Sequence, residues 1–132
     1  MNYNLTSQQK KQLQDLGVLA VYLFGSVAEG YDAPHSDVDI GVVFKQPLQA
    51  DSLDLYNQLY DIFTAVFPGK EVDIVLADRA TLELKADMIA QGILLFESSS
   101  EARMDFESKI TLLYADFKPV LQFFNSSILS RI

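Results

Sequence analysis

A chain of 132 residues suffices for one domain, and 49% hydrophobic against 21% charged residues makes a buried core attainable and disorder an unsuitable description. Cys is absent and His35 is the sole histidine, which excludes disulfides, thiolate chemistry and a multi-histidine metal centre. Ten basic against eighteen acidic residues leave a net charge of −8, which excludes a broad electropositive surface for DNA or RNA. No apolar run approaches the ~20 residues of a membrane span, and Met1-Asn2-Tyr3-Asn4 carries no signal peptide, so a cytoplasmic protein is expected.

In chain order, Thr6-Ser7-Gln8-Gln9 reads as a capping box ahead of a helix with Leu13 and Leu16, stopped at Gly17. The continuous apolar run Val18 to Phe24 predicts a strand buried on both faces, ended by Gly25. A second strand is expected near Ser36–Phe44. A helix from about Ser52 carries Leu55, Leu59, Ile62, Phe63 and Val66 on one stripe and stops at Pro68-Gly69. Glu71–Leu76 is a third strand. Asp78 reads as the N-cap of a helix over 80–91, closed by Gly92, and Ile93–Phe96 is a fourth strand. From about Ser99 the pattern is helical, with Phe106, Ile110, Leu113, Phe117, Leu121 and Phe124 on one stripe, and Pro119 is expected to kink or divide that helix. Strands alternating with helices imply an α/β (α+β) domain over residues 1–98, followed by a C-terminal helical extension over 99–132. The extension's apolar stripe either docks on the chain's own sheet or is left for a partner or a second copy, making a homo-oligomer through the C-terminal helices one option.

Chemistry concentrates in two strands. In Asp37-Val38-Asp39 the two carboxylates are two residues apart, so a strand turns both to one face while Val38, Ile40 and Val42 face the core. Two such charges repel unless a cation lies between them, and an all-oxygen donor set is what Mg²⁺ prefers. Asp73, in Glu71-Val72-Asp73-Ile74, projects in the same way. If the strands are neighbours, three carboxylates converge, which suits two metal ions on a triphosphate, with Asp73 as general base or metal ligand. Gly25-Ser26 directly follows a buried strand. Gly permits close backbone approach, and Ser26 with the free N–H groups of a helix start would make an anion site. His35, between Pro34 and Ser36, reads as a turn residue, and Asp51, Asp54 and Asp61 as a solvated helix face.

Gly25-Ser26, the ten residues Val27 to Ser36 and then Asp37-Val38-Asp39 resemble the signature of the polymerase-β nucleotidyltransferase superfamily, and in particular of the minimal nucleotidyltransferases, the MNT or MntA-type antitoxins of HEPN–MNT systems. Ala28, Gly30 and Ser36 also fall where the longer pattern has small residues and a Ser before the Asp. Glu71 to Val75 resembles the strand of the third carboxylate, and Met88 to Glu97 the closing helix–Gly–strand unit, so the resemblance spans residues 18–97. It implies a nucleotidyltransferase palm with a mixed sheet of about four to five strands flanked by helices. It implies Mg²⁺, as two ions, ATP as substrate, and transfer of AMP to a tyrosine hydroxyl of a HEPN-type ribonuclease toxin, which neutralises it. By position it implies that Asp37, Asp39 and Asp73 bind metal and carry catalysis, and that Gly25 and Ser26 hold the nucleotide phosphates. Many minimal members carry basic residues after the Gly-Ser pair; here Val27 and Glu29 stand there. Two other readings compete: an antitoxin acting by stoichiometric binding without turnover, and a small-molecule nucleotidyltransferase, which would usually need a further helical domain.

Overall fold

The computed structural model describes residues 3–25, 37–48 and 53–129. Ser26, Val27, Ala28, Glu29, Gly30, His35, Ser36, Asp51 and Ser52 lie outside the described residues.

Helix α1, Ser7–Asp15, starts on the expected capping box: the Thr6 hydroxyl accepts from the Gln9 N–H at 3.1 Å, and the Thr6 N–H donates to Gln9 Oε1 at 2.8 Å. Strand β1, Val18–Phe24, follows from the apolar run, and β2 spans Val38–Phe44. Helix α2, Leu53–Val66, buries Leu59, Ile62 and Phe63. Strand β3, Val72–Leu76, leads through a 3-10 turn at Ala77–Arg79 into α3, Leu82–Gln91, then β4, Ile93–Glu97, and α4, Ser100–Leu129. The cap of α3 is Thr81, whose hydroxyl accepts from the Leu84 N–H at 3.1 Å. Asp78, expected as that cap, lies in the 3-10 turn and accepts instead from the Leu48 N–H at 2.7 Å. The helix begins one turn later than the Asp suggested, and the carboxylate satisfies a distant backbone donor. Pro119 lies inside α4, which continues through it undivided.

The four strands form one mixed sheet in the order β3-β2-β1-β4. β1 pairs antiparallel with β2 and β4, and β2 pairs parallel with β3. Strand alternation then sends side chains to two faces. Val38, Ile40, Val42, Val72 and Ile74 join Leu13 of α1 and Leu59 and Phe63 of α2 in the larger core. Ala20, Tyr22 and Val43 meet Ala77, Met88 of α3 and Phe106 of α4 on the opposite face. Gly41 lets α3 close onto the sheet there, since a Cβ on it would lie 2.8 Å from Met88 Sδ.

The stripe of α4 divides at its middle. Ile110 is 4% exposed and Phe106 packs on the second core, whereas Phe123 is 71% and Phe124 60% exposed. The first half therefore docks on the chain's own sheet and the second half stands clear of it. No helix among the described residues is long and apolar enough to cross a membrane.

A polar clasp holds the docked half. Tyr22 Oη donates to Glu107 Oε2 at 3.2 Å, and Arg103 pairs with both Glu107 and Glu97. The Ser100 hydroxyl donates to Glu97 at 2.7 Å, and this bond together with Arg103 holds the Glu97 carboxyl below the usual carboxylate range. Burial, followed by the charge and hydrogen bond of Glu107, pushes the Tyr22 hydroxyl well above its ordinary ionisation range. An unfolded tyrosine ionises near ~10. Stability from Tyr22 is thus complete below that pH and is lost as pH rises through it toward the higher folded value. Replacing Tyr22→Phe should remove that alkaline component, so the unfolding curve of the variant should fall less steeply above pH ~10 in an absorbance titration. Equal slopes in the two proteins would disprove the linkage.

Candidate functional site

Two of the three carboxylates expected to converge, Asp39 and Asp73, sit at one level on neighbouring strands. Phe24, the last residue of β1, is opposite Asp39 of β2, and Asp39 is in register with Asp73 of β3. Directly opposed residues share a face, so Asp39 and Asp73 stand together on the face also covered by α3 and α4, away from the larger core. The main chain is pinned just before them, where the Val38 N–H donates to the Glu71 carbonyl at 2.8 Å. Asp37 precedes β2 and is exposed, as is Asp73, while Asp39 is partly buried. The strand ladder begins at Val38, one residue later than Asp37, so Asp37 reaches the group from the loop side.

Electrostatics tie the three together. The Asp39 carboxyl is raised above its ordinary range first by burial, then by the charges of Asp73 and Asp37. Among the described residues, no three Asp, Glu or His side chains form a group that could hold a metal ion by themselves. The donor set still fits a hard divalent cation, being all oxygen and mutually repulsive around Asp39.

Gly25 completes the arrangement. Its φ is +82°, and a Cβ there would lie 2.2 Å from Asp39 Oδ2. The turn after β1 therefore closes directly against the central carboxylate, and a side chain there would force the carboxylate or the turn to move. Ser26, expected beside it, lies outside the described residues, as does His35.

The sequence matches the family described as polymerase beta, nucleotidyltransferase, over residues 7–101. The chain belongs to that nucleotidyltransferase family. Solved structures of toxin–antitoxin proteins share its fold, among them the following. A chain of a toxin–antitoxin crystallised with AMP-PNP is 23% identical, with 94% of this chain and 99% of that chain covered and a TM-score of 0.70. A mutant of the toxin–antitoxin MntA–HpeT is 25% identical, with 90% and 93% covered and a TM-score of 0.68. A complex of tri-AMPylated HEPN toxin with MNT antitoxin from Shewanella oneidensis is 19% identical, with 92% and 97% covered and a TM-score of 0.64. No curated protein matches this chain.

Within this nucleotidyltransferase, Gly25, Asp39 and Asp73, expected at the site, stand beside one another, with Asp37 just before β2, and two features were not expected from the sequence. One is the clasp of Tyr22, Arg103, Glu107 and Glu97; a tyrosine, the one residue with a polar group in an otherwise apolar strand, was its signal, because a buried hydroxyl needs a partner. The other is a groove of about 430 Å³ along β3, lined by Tyr56, Val75, Leu76, Arg79 and Leu84 among others. Its residues come from α2, β3, the 3-10 turn and α3, and no single periodicity joins them.

Proposed function

We propose that this nucleotidyltransferase is the antitoxin of a toxin–antitoxin pair, and that it transfers AMP from ATP to a tyrosine hydroxyl of a HEPN-type ribonuclease partner. The observation carrying the proposal is Asp39 held between Asp73 in register on β3 and the Gly25 turn on β1. The similar folds seen with AMP-PNP and with a tri-AMPylated HEPN toxin support it. In this reading residues 1–98 are the nucleotidyltransferase domain and 99–132 its helical extension, acting in the cytoplasm, with a protein and not a nucleic acid as acceptor, in keeping with the net charge of −8.

Asp37, Asp39 and Asp73 are the residues that would hold Mg²⁺, as two ions. Bound there, the metal supplies neutralisation of phosphate charge and a lowered pKa for the attacking hydroxyl. Gly25 gives the polyphosphate close access to the main chain, and Ser26 supplies a hydroxyl for it. Asp73 accepts the proton of the tyrosine hydroxyl as its oxygen bonds to the α-phosphorus. The bond from that phosphorus to the bridging oxygen breaks, and pyrophosphate leaves.

Incubating the chain with its partner, ATP and Mg²⁺ and weighing the partner by mass spectrometry should show additions of about 329 Da each, the mass of an adenylyl group. Val27 and Glu29, where a phosphate clamp could stand, favour a second reading in which the antitoxin acts by binding alone. The exposed second half of α4 would then carry the contact. A stable complex with no added mass would select that reading.

A further inference from the structure

We infer that the groove along the outer edge of β3 is the docking site for the acceptor: an extended, apolar segment of the protein substrate, laid against β3 as an added strand. The inference rests on the proposed transfer reaction and assigns the side from which the hydroxyl arrives.

In-line displacement puts the attacking and leaving oxygens on opposite sides of the phosphorus. The strand order β3-β2-β1, with Asp73, Asp39 and Phe24 at one level, lays the site out as a row. The Gly25 turn for the polyphosphate is at the β1 end of that row, so pyrophosphate departs over β1. Asp39 marks the middle, about one strand spacing (~4.8 Å) from either neighbour. The attacking hydroxyl must then come from the β3 end, past Asp73.

At that end the sheet stops: β2 is the sole strand paired with β3 among the described residues. The groove lies along this edge, with Tyr56 from α2 and Leu84 from α3 among its walls and Ile74, Val75 and Leu76 of β3 itself in its lining. Val75 follows Asp73 by two residues, so it shares the face of that carboxylate one pleat farther along. A strand edge offers main-chain hydrogen bonds for affinity, and flanking apolar walls select alternate side chains of an incoming peptide. A small acceptor would not need the strand edge. The groove between α1 and α2, lined by Gln8, Gln12, Gln58 and Asp61 among others, belongs to the helices on the larger-core side of the sheet, opposite Asp39 and Asp73.

The test places a photoreactive benzoylphenylalanine at Leu84 and, in a control protein, at Gln12, and irradiates each with the purified HEPN-type partner. A parallel incubation with ATP and Mg²⁺ locates the AMP-bearing tyrosine. Labelling from Leu84 but not Gln12, on the partner segment containing that tyrosine, is the expected result. No labelling from Leu84, or labelling of a remote segment, overturns the inference. If the partner gains no AMP at all, the transfer reaction fails, while specific labelling from Leu84 still establishes the docking site and its absence still removes it. Kinetically, both Leu84→Arg and Tyr56→Ala should raise KM for the partner by about tenfold with KM for ATP within about twofold. An unchanged partner KM in both variants would also overturn the inference.

Discussion

Replacing Asp39→Asn should abolish AMP transfer, by at least about 10³-fold in kcat/KM, while making the metal-free protein more stable at neutral pH. Both effects have one cause. Asp39 is the most enclosed of the three carboxylates and is raised above its ordinary range by burial, Asp73 and Asp37. A carboxyl raised in the folded state favours folding while it is protonated, and that contribution disappears as pH climbs through the folded value. At pH 7 the charge is therefore a penalty, and Asn removes it. The group is only partly buried, so the gain should stay under about 1 kcal/mol, or roughly 1–4 °C in Tm. Mg²⁺ should raise the Tm of the unaltered chain more than that of the variant, because a cation relieves the repulsion that Asn has already relieved. Asp37→Asn should likewise abolish transfer. Thermal melts with and without Mg²⁺, read beside incorporation of labelled AMP, check the set. Undiminished incorporation by either variant, or a lowered Tm for the metal-free Asp39→Asn protein, would refute the reading.

Gly25→Ala should be the most damaging single-carbon change at the site. Its φ of +82° is a left-handed conformation, which costs an L-residue about 1–2 kcal/mol. The added carbon would also fall 2.2 Å from Asp39 Oδ2, so either the turn or the central carboxylate must move. Displacement of a reacting group by about 1 Å can cost on the order of 10²-fold in rate. Transfer should fall by at least that factor, with stability lowered by about 2 kcal/mol. Gly17→Ala is the matched control. Its φ is +81°, but nothing lies within 4 Å of the added carbon. It should lose stability by the backbone cost alone and keep its transfer rate. Urea unfolding and initial-rate measurements on the two variants separate strain from collision. Equal activity losses would show that the contact with Asp39 does not matter.

Local physics made much of the chain legible. The capping box at Thr6, the apolar run Val18–Phe24 and the stripe of α2 each state a preference that needs no distant partner. Asp78 misled for the reverse reason: an Asp before a helix is a good cap locally, but a competing donor, the Leu48 N–H, lay thirty residues away in sequence and Thr81 stood closer to the helix. The α4 stripe was legible as a stripe, yet its period was the same in the docked half around Ile110 and in the free half around Phe123 and Phe124. Where packing stops is set by the elements α4 lies against, chiefly α3 and then β1, and not by anything in its own period.

By itself the sequence determined the strand and helix order, the alternation that sets Asp39 on the face opposite Val38 and Ile40, and the Gly–Ser to Asp-x-Asp interval. Each depends on backbone periodicity or on neighbours within one element. The tertiary structure alone decided that β3 lies beside β2 in a register that sets Asp73 against Asp39, and that the Gly25 turn closes on the same carboxylate. Strand pairing is a choice among many registers, settled by burying Val72 and Ile74 with Val38 and Ile40 in one core. The charges follow that choice passively: hydrophobic packing brings the carboxylates together against their repulsion, and leaves Asp39 to carry the cost.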